Sequence, residues 1–135
     1  MRKAFGVAGA ANRKPGATHF RLDPDEVAEG RGAFMVALSQ AHPVGCGALR
    51  MIDARTAELK RMYVVPSVRG RGIAGGVLEA LEAEARRLGV QRLVLETGIR
   101  QHAALALYRR AGYQPIPPFG EYLASPTSVC LAKDL

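Results

Sequence analysis

The chain lacks any apolar run near the roughly 20 residues that a membrane-spanning helix needs. It also lacks the apolar block of a secretory signal, since it opens Met1-Arg2-Lys3-Ala4-Phe5. Both absences lead to the expectation of a cytoplasmic protein. Cysteine is scarce. Cys46 and Cys130 each sit in an apolar run of strand character, with neither metal-ligand spacing nor a disulfide framework, so they read as reduced core residues. Histidine is scarce too. His19, His42 and His102 form no cluster, read as surface or loop residues, and give no reason to expect a metal. No internal repeat and no linker interrupts the 135 residues, and a second domain would leave both cores thin.

Acid is in short supply: 12 acidic residues face 19 basic ones, for a formal net charge of +7, and arginine outnumbers lysine. Such a balance suits a nucleic-acid-binding domain, a holder of a polyphosphate cofactor or anionic substrate, or a merely solubilising surface. The charges are spread along the chain without interleaved aromatics, which disfavours nucleic acid. Residues 1–18 carry Arg2, Lys3, Arg13 and Lys14 among small residues and no acid, and read as a poorly ordered lead-in or shortened first element. The remainder, 19–135, reads as one domain.

What is present is a clear change of period along the chain. Asp23-Pro24-Asp25-Glu26 has the cap, the first-turn proline and the returning glutamate of a short helix. Ala33 to Ser39, Val44 to Met51 and Ala57 to Val65 follow as three strands with short turns, an antiparallel meander. From Gly72 to Leu88 the spacing becomes helical, with Ile73, Val77, Leu78, Leu81, Ala85 and Leu88 on one stripe and Gly89 as the stop. Arg92 to Glu96 is a buried strand, and Gln101 to Ala111 a second amphipathic helix ended by Gly112. Tyr113 begins a strand, residues 115–126 form a long loop, and Thr127 to Ala132 is the last strand. The pattern predicts an α/β (α+β) fold, a mixed and mostly antiparallel sheet with flanking helices.

Gly70-Arg71-Gly72-Ile73-Ala74-Gly75 matches G-x-G-x-x-G between a strand and a helix, with Glu96 about twenty residues on, as in a dinucleotide fingerprint. Two features oppose that reading. Pro66 to Arg69 separate the strand from the first glycine, and too little chain follows Glu96 for the further parallel strands of that fold. The physics of the loop holds either way. Glycines admit close approach of a ligand to the backbone, and a helix start presents unpaired N–H groups and a positive dipole end. Arg69 and Arg71 add charge beside it. A plain turn would not need both arginines and all three glycines.

Three segments, in order, resemble the GNAT family of N-acetyltransferases. Arg69-Gly70-Arg71-Gly72-Ile73-Ala74 is similar to its Q/R-x-x-G-x-G/A loop. Glu58 to Val64 resembles its central strand, and Ala106-Leu107-Tyr108-Arg109-Arg110-Ala111-Gly112-Tyr113 its late helix and following strand. The resemblance covers roughly residues 20–135 and implies transfer of an acetyl group from acetyl-CoA to a primary amine of a small molecule or peptide in a ternary complex. Other readings remain: an acyl-CoA-binding module without turnover, or the nucleic-acid binder. Two features depart from the family. The opening elements are short, and Gln101 stands where an asparagine often contacts the cofactor.

The resemblance implies that Glu58 deprotonates the amine through water, although a strand glutamate paired with Lys60 or an arginine is the structural alternative. It implies that the Met62 N–H polarises the thioester, that Tyr63 and Val64 lie along the pantetheine arm, and that a parting of two strands exposes their backbone. It further implies that Arg69, Gly70, Arg71, Gly72, Ile73, Ala74 and Gly75 hold the pyrophosphate, with Gln101 also on the cofactor. Tyr108 would protonate the leaving thiolate, or else pack in the core. Strand alternation would place Glu58, Lys60, Met62 and Val64 on one face, with Arg61 on the other. Phe119 and Tyr122, in the long loop, are candidates for the acceptor site. The short N-terminus leaves sheet edge that a second copy could cover, so a homodimer is expected.

Overall fold

The computed structural model describes residues 6–9 and 31–135; the helix expected at Asp23 lies outside them, as does most of the 1–18 lead-in. Among the described residues seven strands form a single sheet: β1 (Gly6–Gly9), β2 (Gly32–Ser39), β3 (His42–Met51), β4 (Thr56–Val64), β5 (Arg92–Gly98), β6 (Gln114–Ile116) and β7 (Ser128–Asp134). Their spatial order is β1-β2-β3-β4-β5-β7-β6, antiparallel throughout except for β4 with β5. Helix α1 (Ile73–Arg87) supplies the crossover that a parallel pair requires. Helix α2 (His102–Arg110) follows β5. Among the described residues no helix is long and apolar enough to cross a membrane.

The six expected strands and two helices after residue 30 are all present, within a few residues of their predicted limits. The structure adds β1. Its sequence, Gly-Val-Ala-Gly, has no strand signature of its own; the backbone is recruited by pairing Gly6–Gly9 against Met35–Leu38.

The helices share one face of the sheet. Ile73, Val77, Leu78, Leu81 and Ala85 of α1 pack with Ala33, Ala37, Leu49, Ala57, Leu59, Leu93, Leu95 and Leu131. Each large aliphatic side chain fully buried there is worth about 1.5–3 kcal/mol. Close approach of α1 depends on Gly47, where a Cβ would lie 2.5 Å from Met62 Sδ and 2.8 Å from Leu81 Cδ1. Phe34, Cys46 and Ala48 point to the opposite face. Cys46 and Cys130 are free and buried, as expected.

Strand β4 does not keep a simple alternation. Cys46 pairs with Tyr63 but Ala48 with Lys60, so β4 contains one extra residue, and Arg61 sits at φ 59°. This is a β-bulge, and it reverses which residues face the helices. Ala57 and Leu59 face α1 before it, and Met62 and Val64 pack against the same core after it. The expectation that Glu58, Lys60, Met62 and Val64 share a face is therefore corrected. Glu58 lies on the face away from the helices and Met62 on the helix face, because period-2 reasoning cannot cross a bulge.

The β4–β5 pairing is also short. It runs from Thr56–Arg92 to Leu59–Leu95 and stops, although the strands continue to Val64 and Gly98. On its other side β4 stays paired with β3 as far as Gly45–Val64. The sheet thus opens into a split between the ends of β4 and β5.

Candidate active site

The loop after β4 makes a single 3-10 turn at Pro66–Val68 and then reaches α1 through Arg69, Gly70, Arg71 and Gly72. Gly70 and Gly72 adopt φ 82° and 79°, the left-handed region that favours glycine. Gly72 is the N-cap and offers no side-chain cap. The helix ladder starts with Gly76 N–H to the Gly72 carbonyl at 3.1 Å. The N–H groups of Ile73, Ala74 and Gly75 precede it, at the positive end of the helix dipole. A Cβ at Gly70 or Gly72 would meet no atom within 4 Å, so open space lies over the loop. A Cβ at Gly75 would come 3.9 Å from Leu107, where α2 packs beside the start of α1. Arg71 is exposed. Arg69 braces the loop instead: its Nε donates to the Val64 carbonyl at 3.0 Å and its guanidinium lies 5.7 Å from the Tyr63 ring centroid.

On the opposite face, Glu58 is 2% exposed. Arg50 Nη2 donates to its Oε1 at 2.8 Å, and the Tyr122 hydroxyl donates to its Oε2 at 2.8 Å. The partner is thus Arg50, not Lys60, whose Nζ lies 4.0 Å from Glu121. Tyr122 stands on a 3-10 turn at Gly120–Tyr122, edge-on to Phe119 with centroids 5.3 Å apart. Burial first, then the Glu58 and Glu121 carboxylates, push the Tyr122 phenol far up, so it stays protonated. These groups line a cleft of about 470 Å³ with Ile52, Val94 and Ile116.

Tyr108 is the one buried residue of α2 and packs edge-to-face on Tyr113 at 5.7 Å. Burial pushes its phenol up to about 12. Gln101 precedes α2 and is exposed, as is His102. No group of metal-ligating side chains occurs among the described residues.

The structure therefore gathers Glu58, Phe119 and Tyr122 on one side of the sheet. It places the 69–75 loop and Tyr108 in the helix layer, with the β4–β5 split as the opening between the two sides. The sequence allowed an arginine partner for Glu58 without naming it, and that arginine is Arg50. It lies directly across from Glu58 in the β3–β4 register, so a ladder drawn for the predicted meander would have paired them.

Residues 9–113 match the model of the acetyltransferase (GNAT) family. An "IAA acetyltransferase" from Azospirillum brasilense is 38% identical over 122 residues, which are 90% of this chain and 80% of that protein. A solved structure from Klebsiella pneumoniae, assigned as an acyl-CoA N-acyltransferase, superposes with a TM-score of 0.82 at 33% identity and covers 97% of both chains. A GNAT acetyltransferase from Elizabethkingia anophelis with acetyl-CoA bound shares the fold at TM-score 0.78 and 21% identity, over 99% of this chain and 100% of that one. The split sheet, the glycine-opened helix and the family match over most of the chain agree: the protein belongs to the GNAT family and is an N-acetyltransferase.

Proposed function

We propose that the protein moves an acetyl group from acetyl-CoA to a primary amine of a small molecule or peptide, by direct attack in a ternary complex. The observation that carries this reading is the β4–β5 split, with an unpaired helix start on one side and a buried glutamate on the other. The loop fits a pyrophosphate, because open space lies where Cβ atoms on Gly70 and Gly72 would project. When bound, acetyl-CoA supplies an acetyl group activated as a thioester. The amides of Ile73, Ala74 and Gly75, with Gly70, Arg71 and Gly72 beside them, hold its phosphates. Arg69 holds the loop in shape through Val64. The backbone of Met62, Tyr63 and Val64 lines the split, where the Met62 N–H polarises the thioester carbonyl. Gln101 adds an amide at the start of α2. Glu58 takes the proton from the amine, and the Tyr108 hydroxyl donates to the departing sulfur. Thiol release from acetyl-CoA against a panel of amino acids, polyamines, aminoglycosides and peptides tests the reading; acceptor-independent release alone would oppose it.

Gly72→Asn probes the phosphate site. Asparagine tolerates the left-handed conformation, so the fold should persist, while its side chain fills the space over the loop. Coenzyme A affinity, measured by calorimetry, is expected to fall about tenfold or more, at least 1.4 kcal/mol. Unchanged affinity in a folded variant would move the pyrophosphate elsewhere.

Tyr108→Phe keeps the ring that packs on Tyr113 and removes the hydroxyl. Single-turnover acetyl transfer is expected to slow about 10²-fold, the lower end for a positioned proton donor, with little change in acetyl-CoA affinity. A full single-turnover rate would assign Tyr108 to packing.

A further inference from the structure

The reading of Glu58 as the base meets a geometric obstacle, and its resolution points to a further catalytic residue. Glu58 is 2% exposed and both of its oxygens are engaged, Oε1 by Arg50 and Oε2 by Tyr122. Glu58 reaches the cleft, but only 3% of its side chain is open to an amine there. Tyr122 is only half-buried, lines the same cleft and holds its hydroxyl on Glu58 Oε2. We infer that Tyr122 is a proton relay, passing the proton of an acceptor ammonium to Glu58, and that the acceptor is a primary amine with an aliphatic or aromatic arm.

The relay is balanced. One ammonium N–H bond breaks as that proton joins the phenol oxygen, and the phenol O–H bond breaks as its proton joins Glu58 Oε2. The amine becomes neutral and nucleophilic, the phenol is regenerated, and the carboxylate becomes a carboxylic acid. The proton returns to solvent by the same route once the product has left. A phenol suits the task because its oxygen accepts one hydrogen bond while its O–H donates another. Its ring is fixed edge-on by Phe119. Arg50 holds the other oxygen of Glu58, so the carboxylate is fixed with Oε2 toward the phenol. The choice of acceptor follows from the walls: Ile52, Val94, Ile116 and Phe119 are apolar, while Arg50 is paired with Glu58 and Lys60 faces Glu121. An apolar arm has more to gain from that lining than a second charge would.

The proposal rests on the Glu58 reading, and the test separates the two. Single-turnover transfer is measured at pH 7.5 with phenethylamine, which is almost wholly ammonium there, and with 2,2,2-trifluoroethylamine, which is almost wholly neutral. Tyr122→Phe retains the ring and its contact with Phe119. It is expected to slow transfer to phenethylamine about 10²-fold while leaving the acceptor KM and the trifluoroethylamine rate within a few-fold of wild type. Equal losses on both amines would mean that Tyr122 only shapes the cleft. No loss, or a gain, would mean that the hydroxyl merely covers Glu58. Either result overturns the relay, as does failure of the wild type to acetylate phenethylamine. Glu58→Gln with a full phenethylamine rate would instead remove the base reading beneath it.

Discussion

Glu58→Gln is expected to reduce single-turnover transfer to a protonated amine by about 10³-fold, mid-range for loss of a positioned base. The substitution preserves volume and hydrogen-bonding capacity. The amide oxygen can still accept from Arg50, and the amide N–H can donate to the Tyr122 oxygen. What disappears is the ability to hold a proton. The stability cost should be modest, because the Arg50 side chain is 40% exposed and water can replace part of the lost ion pair. Acetyl-CoA affinity should be unchanged, since the phosphate loop and Val64 belong to the other side of the split. The signature is therefore a fall in kcat with an intact cofactor constant, partly relieved by raising pH as the acceptor loses its proton unaided. If kcat were unchanged, the base would have to be sought elsewhere on that face. Glu121, which lines the cleft, and Glu96, which accepts from Ser128 past the last β4–β5 pair, are candidates there.

The elements beyond residue 30 were legible because their signals are local. A stripe of aliphatics specified α1, glycines marked both helix ends, and three apolar runs with tight turns specified the meander. The phosphate loop was legible because it needs a particular backbone, and only glycine takes φ near 80° at so little cost. Tyr122 could be flagged as an aromatic in a long loop, but its bond to Glu58 spans 64 residues of sequence and no local pattern encodes it. The bulge at Arg61 was invisible for a different reason. Arginine has no preference for positive φ, so the distortion is imposed by pairing on β3 and by the fit of Met62 under Leu81 and Val77. β1 likewise exists through the edge it pairs with, not through its own side chains.

Glu82 passed unnoticed in the sequence because a glutamate in an amphipathic helix usually faces solvent. It is 6% exposed in the helix layer, where it accepts from the Tyr113 hydroxyl at 2.8 Å and from Lys133 Nζ at 3.1 Å on both oxygens. These bonds tie α1 to the segment between α2 and β6 and to β7. Glu82→Ala would leave a phenol in a residue 1% exposed, and an ammonium whose side chain is 22% exposed, both without this partner. Breaking a buried pair costs about 3–5 kcal/mol, and water reaching Lys133 brings the expectation down to about 3 kcal/mol. In a domain of this size that lowers Tm by about 10 °C. Tyr113→Phe should cost less, about 1–2 kcal/mol, because the Glu82–Lys133 pair survives. The pH dependence has a fixed sign. Burial first, and then the Glu82 carboxylate, raise the Tyr113 phenol above its unfolded value. A raised group contributes stability that is fully present below the unfolded value of about 10 and is lost as pH rises toward the folded one. Wild-type stability should therefore decline above about pH 10, with the buried Tyr108 phenol, pushed up to about 12, adding in the same direction. Glu82→Ala should start from a lower Tm at neutral pH and lose less between pH 10 and 12, because the Glu82 carboxylate no longer opposes ionisation of Tyr113. Thermal melts across that range measure both effects. A neutral-pH loss below about 1 kcal/mol would mean that Lys133 and Tyr113 find water once the carboxylate is gone, placing the network among surface pairs of little worth.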